Sequence, residues 1–265
     1  MFPSGHCDWE QRPSAPGPRA REDQELAAAI TAIHAQSRQT YGRPRLVTTL
    51  RTRGRRHGRR RVARLMQHAG LCDHQKGRYR VHTTNSNHDH PIALNRLAEV
   101  PKTTAPNQIW VADITYIPPS AAGFTPPLSS TSTAAKIVGW AMSETMGAAI
   151  VLQALAMAIL HRDPPAKLRF HSDRGVPYAA GDFLAALAQA HLIPSMSRRG
   201  NCYDHATTEN FWSTLKLELV YRRDFATHSQ ACAAIFDYLE AFYNRERLHS
   251  ALNFLSPAAF EHQTN

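Results

Sequence analysis

Three acidic residues lie where a carboxylate is unusual in an α/β protein. Asp113 lies in the middle of the β-branched and aromatic segment IWVADITYI, residues 109–117, which predicts a strand. Asp173 follows a second, short strand pattern (LRFH), and α/β sheets bind ligands at such strand ends. Glu209 begins a segment with helical spacing. One such acid is usually a structural residue, but three at the edges of one sheet indicate a common site.

Three carboxylates in one place predict a particular chemistry. Their oxygens are the ligands that hard divalent cations such as Mg²⁺ prefer. Two ions could share one aspartate, with water and phosphate oxygens completing each coordination shell. Such a pair activates a nucleophilic oxygen and stabilises the leaving oxygen of an in-line phosphodiester displacement. The acids therefore predict a site for two Mg²⁺ or Mn²⁺ ions.

The positive charge of the chain is concentrated near its N-terminus. The net charge is +10, and residues 1–100 hold 18 Lys and Arg against 8 Asp and Glu, whereas the remainder holds 13 of each. Eleven arginines and no acid lie between Arg38 and Arg64. These guanidinium groups would repel one another without an anion nearby, which favours nucleic acid as a partner over a solvated basic surface. A membrane surface is less favoured because no aromatic or Leu-rich face accompanies the run.

The basic region has the pattern of a small helical domain. Residues 1–24, rich in Pro and Arg, predict a flexible lead-in. Apolar spacing predicts three helices, at 25–36, 44–53 and 58–69. The last two, joined by a short turn, are typical of a helix-turn-helix, so we assign a DNA-binding domain to residues 25–72. The alternative is a plain three-helix bundle with a basic surface.

The candidate DNA contacts of this domain are arginines. Four of them occupy the first turns of the third helix, where a recognition helix meets the groove of DNA. The full set is Arg43, Arg45, Arg59, Arg60, Arg61 and Arg64.

The rest of the chain has a different organisation. Residues 73–106 lack a sustained period and are assigned as a linker. From residue 107 onward, strand patterns come first and then alternate with helical ones, which predicts a mixed α/β domain over 107–265. The predicted strands are 109–117, 137–142, 168–171 and 193–196, and the predicted helices are 145–160, 181–191, 207–220 and 230–244.

The spacing of the acids and the words around them resemble a known family. Asp113 and Asp173 are 60 residues apart, and 35 residues separate Asp173 from Glu209, similar to the DD(35)E signature of the retroviral-integrase superfamily. Several segments resemble the catalytic protein of a bacterial insertion sequence with two overlapping reading frames fused by ribosomal frameshifting. They are NQIWVADITYI, KIVGWAM, HSDRG, SRRGNCYDHATTENFWSTLKLEL, YNRERLHSALNFLSPAAFE and the Arg-rich helix-turn-helix.

The resemblance implies a fold and an activity. The fold is an RNase H-like mixed sheet with flanking helices, preceded by a small all-α helix-turn-helix domain. Asp113, Asp173 and Glu209 are the implied catalytic metal ligands of a transposase, which nicks the element ends hydrolytically and then attacks another phosphodiester with the freed 3′-OH. Lys216, seven residues after Glu209 on the same helical face, is implied to hold the phosphate backbone; the alternative is a solvated lysine.

Several further residues have weaker signals. Arg198, Arg199 and Asn201 precede the Glu209 helix and are candidate DNA contacts. Phe211 and Trp212 are expected in the core rather than as stacking platforms for bases. His249 lies in the C-terminal segment LHSAL, which resembles the family, but the sequence does not indicate its chemical role.

Residues 125–135 (TPPLSSTSTAA) depart from the family, which has a long apolar strand there. Prolines remove ladder donors, and serines and threonines remove apolar burial, so a poor central strand and impaired activity are expected. Ser-Ser-Thr-Ser-Thr-Ala-Ala can be encoded by TCG TCG ACC TCG ACA GCA GCA. If a G precedes these codons and the frame starts one base earlier, the same bases encode Val-Val-Asp-Leu-Asp-Ser-Ser, which is close to the strand of the family. A local frameshift in the gene would explain the departure.

Three functions therefore remain open. They are a DNA-strand-transfer enzyme, an inactive DNA-binding remnant of one, and an RNase H-like nuclease that only hydrolyses. The implied partners are DNA, further copies of the chain on the element ends, and an upstream-frame protein that is fused to the chain or binds it. No stretch predicts a membrane span or a signal peptide, and four scattered cysteines suit a reducing compartment, so a bacterial cytoplasmic, nucleoid-associated location is expected.

Overall fold

The structure is a computed structural model with two compact units. It describes residues 17–72, 90–97, 106–117, 127–133, 135–143, 145, 147–198 and 206–264. The first unit covers residues 1–74 and the second covers residues 75–265. The division falls close to the predicted end of the helix-turn-helix domain.

The first unit contains the three predicted helices. They are α1 (Pro18–Gln36), α2 (Arg43–Thr52) and α3 (Arg59–His68). Their apolar stripes meet in one small core of residues that are at most 8% exposed, namely Leu26, Ile30, Ile33, Leu46, Val47, Leu50, Val62, Leu65 and Met66. The prediction of an unstructured lead-in up to residue 24 is wrong for residues 18–24. Pro18 lies in the first turn of α1, where a missing N–H leaves no hydrogen bond unmade.

The second unit is built on a five-stranded sheet. Its strands are β1 (Ile109–Tyr116), β2 (Pro127–Thr133), β3 (Lys136–Met142), β4 (Arg169–Ser172) and β5 (Ile193–Met196), in the order β3-β2-β1-β4-β5. The first three strands form an antiparallel meander, and β4 and β5 lie parallel to β1 and to each other. This mixed sheet, with helices on both faces, confirms the RNase H-like architecture.

The expectation that residues 125–135 make a poor central strand is wrong for the backbone of β2. This strand pairs with β1 from Tyr116↔Pro127 to Val111↔Ser132, and with β3 on its other side. Pro127 is the first residue of the strand, where its missing N–H does not interrupt the ladder. Ser and Thr supply the same backbone donors and acceptors as apolar residues, and a register shift between Thr131 and Ser132 accommodates the irregularity.

One face of the sheet is covered by two helices, α4 (Ala148–Arg162) and α6 (Gly181–Gln189), with the short α5 (Val176–Ala179) between them in sequence. The core that they form with β1 and β4 includes Trp110 and Phe170. Gly139 lets α4 approach β3 closely, since a Cβ there would lie 2.2 Å from the carbonyl oxygen of Ala154.

Alternate side chains of a strand point to opposite faces, so Asp113 and Thr115 lie on the face of β1 opposite the Trp110 core. That face contacts α7 (Ala206–Glu218). The chain then forms α8 (His228–Phe236), a π-helical stretch (Asp237–Tyr243) and α9 (Pro257–Thr264). We call residues 228–264 the C-terminal segment.

The C-terminal segment closes the open edge of the sheet at β3. The side-chain oxygen of Asn244 accepts from the N–H of Ile137 at 3.0 Å, and its amide donates to the Ile137 carbonyl at 2.9 Å. Glu261, 5% exposed, accepts two hydrogen bonds from Arg162 at 2.9 Å each and one from Lys136 at 2.7 Å. An edge strand with free backbone groups can pair with other chains. At Ile137 the side chain of Asn244 pairs with both the N–H and the carbonyl of the edge strand.

Part of the predicted linker lies against the second unit. Within residues 90–97, the backbone N–H of Arg96 donates to Ser195 Oγ at 2.9 Å, and Ala93 packs against the core. The remainder of the linker, apart from residue 106, lies outside the described residues. None of the helices in the described ranges combines the length and apolar character that a membrane crossing needs.

Candidate active site

Asp113 lies on the α7 face of β1 with both of its carboxylate oxygens hydrogen-bonded. Oδ1 accepts from the backbone N–H of Ile114 at 2.8 Å. Oδ2 accepts from the indole Nε1–H of Trp212, on α7, at 3.1 Å. The two donors fix the orientation of a half-buried carboxylate that the sequence placed in mid-strand.

Asp173 follows β4, which lies beside β1 in parallel orientation. Its Oδ1 accepts from the backbone N–H of Gly175 at 2.9 Å. A Cβ on residue 175 would lie 3.0 Å from that oxygen, tighter than most such contacts. The glycine of the HSDRG motif therefore lets the carboxylate fold back against its own turn.

Glu209 lies in the first turn of α7 and is exposed. Trp212 and Lys216 follow it at i+3 and i+7, which places all three on one face of the helix. Since Trp212 and Lys216 both contact β1, that face is the one turned to Asp113.

The three carboxylates influence one another electrostatically. Burial, together with the charges of Asp173 and then Glu209, raises the pKa of Asp113 to about 7, although the hydrogen bonds from Ile114 and Trp212 favour the ionised form. Asp113 therefore lies within electrostatic reach of the other two acids that the sequence singled out. Their mutual repulsion is the condition that a bound cation relieves.

The donor set fits a hard divalent cation, because it consists of carboxylate oxygens. Among the described residues, however, no group of three His, Cys, Asp or Glu side chains is arranged closely enough to hold a metal ion. The acids are therefore neighbours without forming a closed three-ligand cluster.

Lys216 lies beside the acids and is half-buried. Its Nζ donates to the Thr115 hydroxyl, two residues along β1 from Asp113, at 2.7 Å. Burial lowers the pKa of Lys216, and the charge of Asp113 acts in the opposite direction. The lysine thus lies against β1 close to Asp113 and is not a fully solvated side chain.

A buried ionic cluster fixes the other end of α7. Glu218 accepts from Arg247 at 2.6 and 2.8 Å and from the Tyr238 hydroxyl at 2.8 Å. Arg247 is 5% exposed and lies 3.3 Å from a ring nitrogen of His249. Burial, followed by the charge of Glu218, raises the pKa of Tyr238 well above its usual value. His249 thus belongs to a structural cluster.

The arginine run of the first unit is partly neutralised from outside the run. Arg61 Nε lies 2.6 Å from Asp23, and its Nη2 lies 3.2 Å from Glu22. Arg64 also pairs with Asp23, and these bonds hold the pKa of Asp23 below its usual value. From the sequence, nucleic acid is the expected anion for the arginines of residues 38–64. Arg61 and Arg64 instead have carboxylate partners within the protein, because Glu22 and Asp23 of α1 lie beside α3.

The other candidate DNA contacts differ in their surroundings. Arg45 is held over the Tyr41 ring at 5.6 Å and donates weakly to the Thr40 carbonyl at 3.5 Å. Arg199 and Asn201 lie outside the described residues. The exposed members of the set are Arg43, Arg59, Arg60, Arg64 and Arg198.

Sequence reasoning missed the polar role of Trp212. The residue is 5% exposed and packs on Phe211, as a core residue should, yet its indole N–H reaches Asp113. Its position at i+3 from Glu209 was the available signal. The pairing of Glu218 with Arg247, 29 residues apart, left no signal in the local pattern.

Family models match both units. A model described as an HTH-like domain matches residues 21–79. Two models described as integrase core domains match residues 103–202 and 209–264. The first covers most of α1 and all of α2 and α3. The second covers the sheet with Asp113 and Asp173, and the third begins at Glu209.

Curated relatives and solved structures are also similar to the chain. The insertion element IS600 uncharacterized 31 kDa protein of Shigella sonnei is 42% identical over 97% of this chain and 93% of its own length. The transposase for insertion sequence element IS904 of Lactococcus lactis subsp. lactis (strain IL1403) is 34% identical over 93% and 97%. Among solved structures, the simian T-cell lymphotropic virus intasome matches with a TM-score of 0.47 at 16% identity, over 83% of this chain and 70% of that one. The HTLV-2 integrase catalytic core in complex with magnesium matches with a TM-score of 0.44 at 14% identity, over 60% and 98%.

A third curated relative extends the match to a further insertion sequence. Transposase InsF for insertion sequence IS3A of Escherichia coli (strain K12) is 32% identical over 98% of this chain and 90% of its own length. Identity at this level over nearly full length, in a chain that carries both an HTH-like domain and an integrase core, means that the chain belongs to the integrase-core transposases of insertion sequences.

Proposed function

We propose that this chain cleaves DNA at the ends of its insertion element and transfers the freed 3′-OH to another phosphodiester, using two divalent ions held by Asp113, Asp173 and Glu209. The observation that carries the proposal is geometric: Asp113 lies on β1, Asp173 follows the parallel neighbouring strand β4, and the α7 face that bears Glu209 contacts β1 at Asp113 and Thr115. In addition, burial, followed by the charges of Asp173 and Glu209, raises the pKa of Asp113 to about 7. A site of this kind favours a divalent cation in place of protons.

The residues around the acids have separate roles in this mechanism. Bound Mg²⁺ or Mn²⁺ would activate the attacking oxygen and stabilise the leaving oxygen. Ile114 and Trp212 orient the Asp113 carboxylate, and their hydrogen bonds favour its ionised form. Lys216, half-buried beside Thr115, offers a positive charge to the phosphate backbone next to the reacting group.

The first unit supplies affinity and orientation on DNA. Arg59 and Arg60 are exposed in the first turn of α3, the position of a recognition helix in the groove, and exposed Arg43 starts α2. Arg61 and Arg64 are already engaged by α1 acids, so their contribution to phosphate binding is smaller. Further DNA contacts are proposed for Arg45, Arg198, Arg199 and Asn201.

Strand transfer joins two element ends to one target, so it requires more than one catalytic site. We therefore propose that copies of the chain assemble on DNA. An upstream-frame protein, fused to the chain or bound to it, remains part of the proposal, and co-purification of the two reading frames tests it.

The test is a cleavage and joining assay on linear DNA carrying the terminal repeats of the element. Asp113→Asn, Asp173→Asn and Glu209→Gln keep side-chain size but remove the charge that holds a cation. Each should lower Mg²⁺-dependent cleavage by at least ~100-fold while DNA binding is retained. Asp182→Asn, at an exposed acid in the first turn of α6, is the matched control and should stay fully active. Substantial cleavage by any of the three variants would remove that residue from the ligand set.

The same assay separates the alternatives. An inactive DNA-binding remnant would bind the terminal repeats without cleaving them. A nuclease of RNase H type would cleave without joining. The paired strand β2 favours the active enzyme, since it gives the Asp113 strand a neighbour on its meander side.

A further inference from the structure

Trp212 is the only residue from another element whose side chain donates to Asp113 among the described contacts. Its indole N–H lies 3.1 Å from Oδ2, while Ile114 in the same strand serves Oδ1. A carboxylate oxygen can accept two hydrogen bonds or ligand bonds. Each oxygen of Asp113 therefore has one position filled by the protein and one left for a cation.

The indole is itself held rigidly in place. Its ring centroid lies 4.6 Å from that of Phe211, and the Phe211 ring packs edge-on against Tyr243 at 5.1 Å. All three side chains are at most 5% exposed. The direction of the indole N–H is thus set by packing against the C-terminal segment and not by Asp113 alone.

We propose that Trp212 is a positioning residue that acts through Asp113. Its hydrogen bond orients Oδ2 toward the proposed cation site. The same bond fixes the position of α7, and with it Glu209, relative to β1. The inference rests on the proposed function, because it assumes that Asp113 and Glu209 are ligands. Donors that orient a ligating carboxylate in this way typically change metal affinity by about 10- to 100-fold when they are removed.

The decisive variant is Trp212→Phe, which keeps an aromatic ring in the core and removes only the N–H donor and part of the ring. Trp140→Phe is the matched control. Trp140 is also buried, at 8% exposure, and its indole donates to Glu240 at 3.3 Å, outside the proposed site. Both variants should lose a comparable amount of thermal stability without metal.

The first measurement is binding of Mn²⁺ alone to the full chain without DNA, by calorimetry. Trp212→Phe should bind Mn²⁺ about 10-fold more weakly than the wild type, and Trp140→Phe should bind it equally well. In strand transfer, the metal concentration for half-maximal rate should rise by a similar factor, with smaller loss of rate at saturating metal. Equal Mn²⁺ affinity in the two variants would overturn the proposal.

A second measurement does not depend on the folding of the Trp212 variant. In the ¹H–¹⁵N spectrum, the indole resonance of Trp212 should move upfield in Asp113→Ala, because its acceptor is lost, while those of Trp110 and Trp140 stay in place. An unmoved Trp212 resonance would also overturn the proposal. If Asp113→Asn itself retains full Mn²⁺ binding, the ligand set is wrong; if it loses binding and Trp212→Phe does not, only the role of Trp212 is wrong.

Discussion

Lys216 shows how much the meaning of a single side chain depends on its neighbours. From the sequence alone, the family resemblance favours a phosphate contact, with a solvated lysine as the alternative. In the structure its Nζ binds the Thr115 hydroxyl at 2.7 Å, and the charge of Asp113 acts on it. A half-desolvated positive charge close to Asp113 is consistent with the proposed phosphate contact.

Replacing Lys216 with Gln should therefore lower the rate of strand transfer by about 10-fold or more at saturating Mg²⁺, because a preorganised charge beside the reacting phosphate is lost. Thr115→Val is the matched variant, since it removes the hydroxyl partner but leaves the positive charge. It should keep most of the rate. The assay is single-turnover joining of a pre-cleaved end, and equal losses in both variants would indicate that Lys216 is structural.

At the scale of elements, α3 combines two kinds of arginine. Arg61 is half-buried and pairs with Glu22 and Asp23 of α1, and Arg64 pairs with Asp23 from an exposed position. Arg59 and Arg60 are exposed in the first turn, and these two are the arginines of this helix that we assign to DNA. Arginine density in the sequence therefore overstates the number of side chains available to DNA.

The double substitution of Arg59 and Arg60 by Ala should weaken DNA binding and flatten its salt dependence. The slope of log K against log salt should fall by about 0.9 per lost phosphate contact. Arg61→Ala should instead lower the thermal midpoint of the first unit, with a smaller change in slope, because Asp23 loses a partner. Binding isotherms at several salt concentrations measure the slope. If Arg61→Ala flattens it as much as the double variant does, the assignment of Arg61 to α1 in the bound state fails.

At the scale of the whole molecule, the C-terminal segment stabilises the sheet and the end of α7 in the second unit. It fills the edge of β3 through Asn244, pairs Glu261 with Arg162, and fixes the end of α7 through Arg247 and Glu218. The helix that carries Glu209 is therefore stabilised by residues more than 25 positions further along the chain. The segment YNRERLHSAL, which resembles the family, contains Asn244 and Arg247, so its role in this structure is packing.

Breaking the buried pair from one side should be strongly destabilising. Arg247→Met leaves Glu218 charged and buried among apolar groups, which should reduce the free energy of unfolding by about 3–5 kcal/mol. Adding Glu218→Gln should recover part of that loss, because the uncompensated charge is removed while the Tyr238 hydroxyl keeps an acceptor. Urea denaturation of the single and double variants measures this coupling. A double variant no more stable than Arg247→Met would mean that the ionic pair is not what stabilises this end of α7.

The sequence alone determined the elements and the acids. Apolar periodicity depends on local geometry, so helices α2 and α3, the C-terminal end of α1, strand β1 and strand β5 could be predicted within a few residues. The spacing of Asp113, Asp173 and Glu209 and the segments around them indicated the family. The prediction from sequence failed at β2, where the Pro, Ser and Thr content indicated a poor strand. The strand forms because its backbone groups pair with those of β1 and β3, and this pairing does not depend on apolar side chains. Only the tertiary structure decided which partners distant residues have: Trp212 on Asp113, Asp23 on Arg61, and Arg247 on Glu218. These contacts depend on how helices and strands meet in space, and neither a 3.6-residue nor a two-residue period records that.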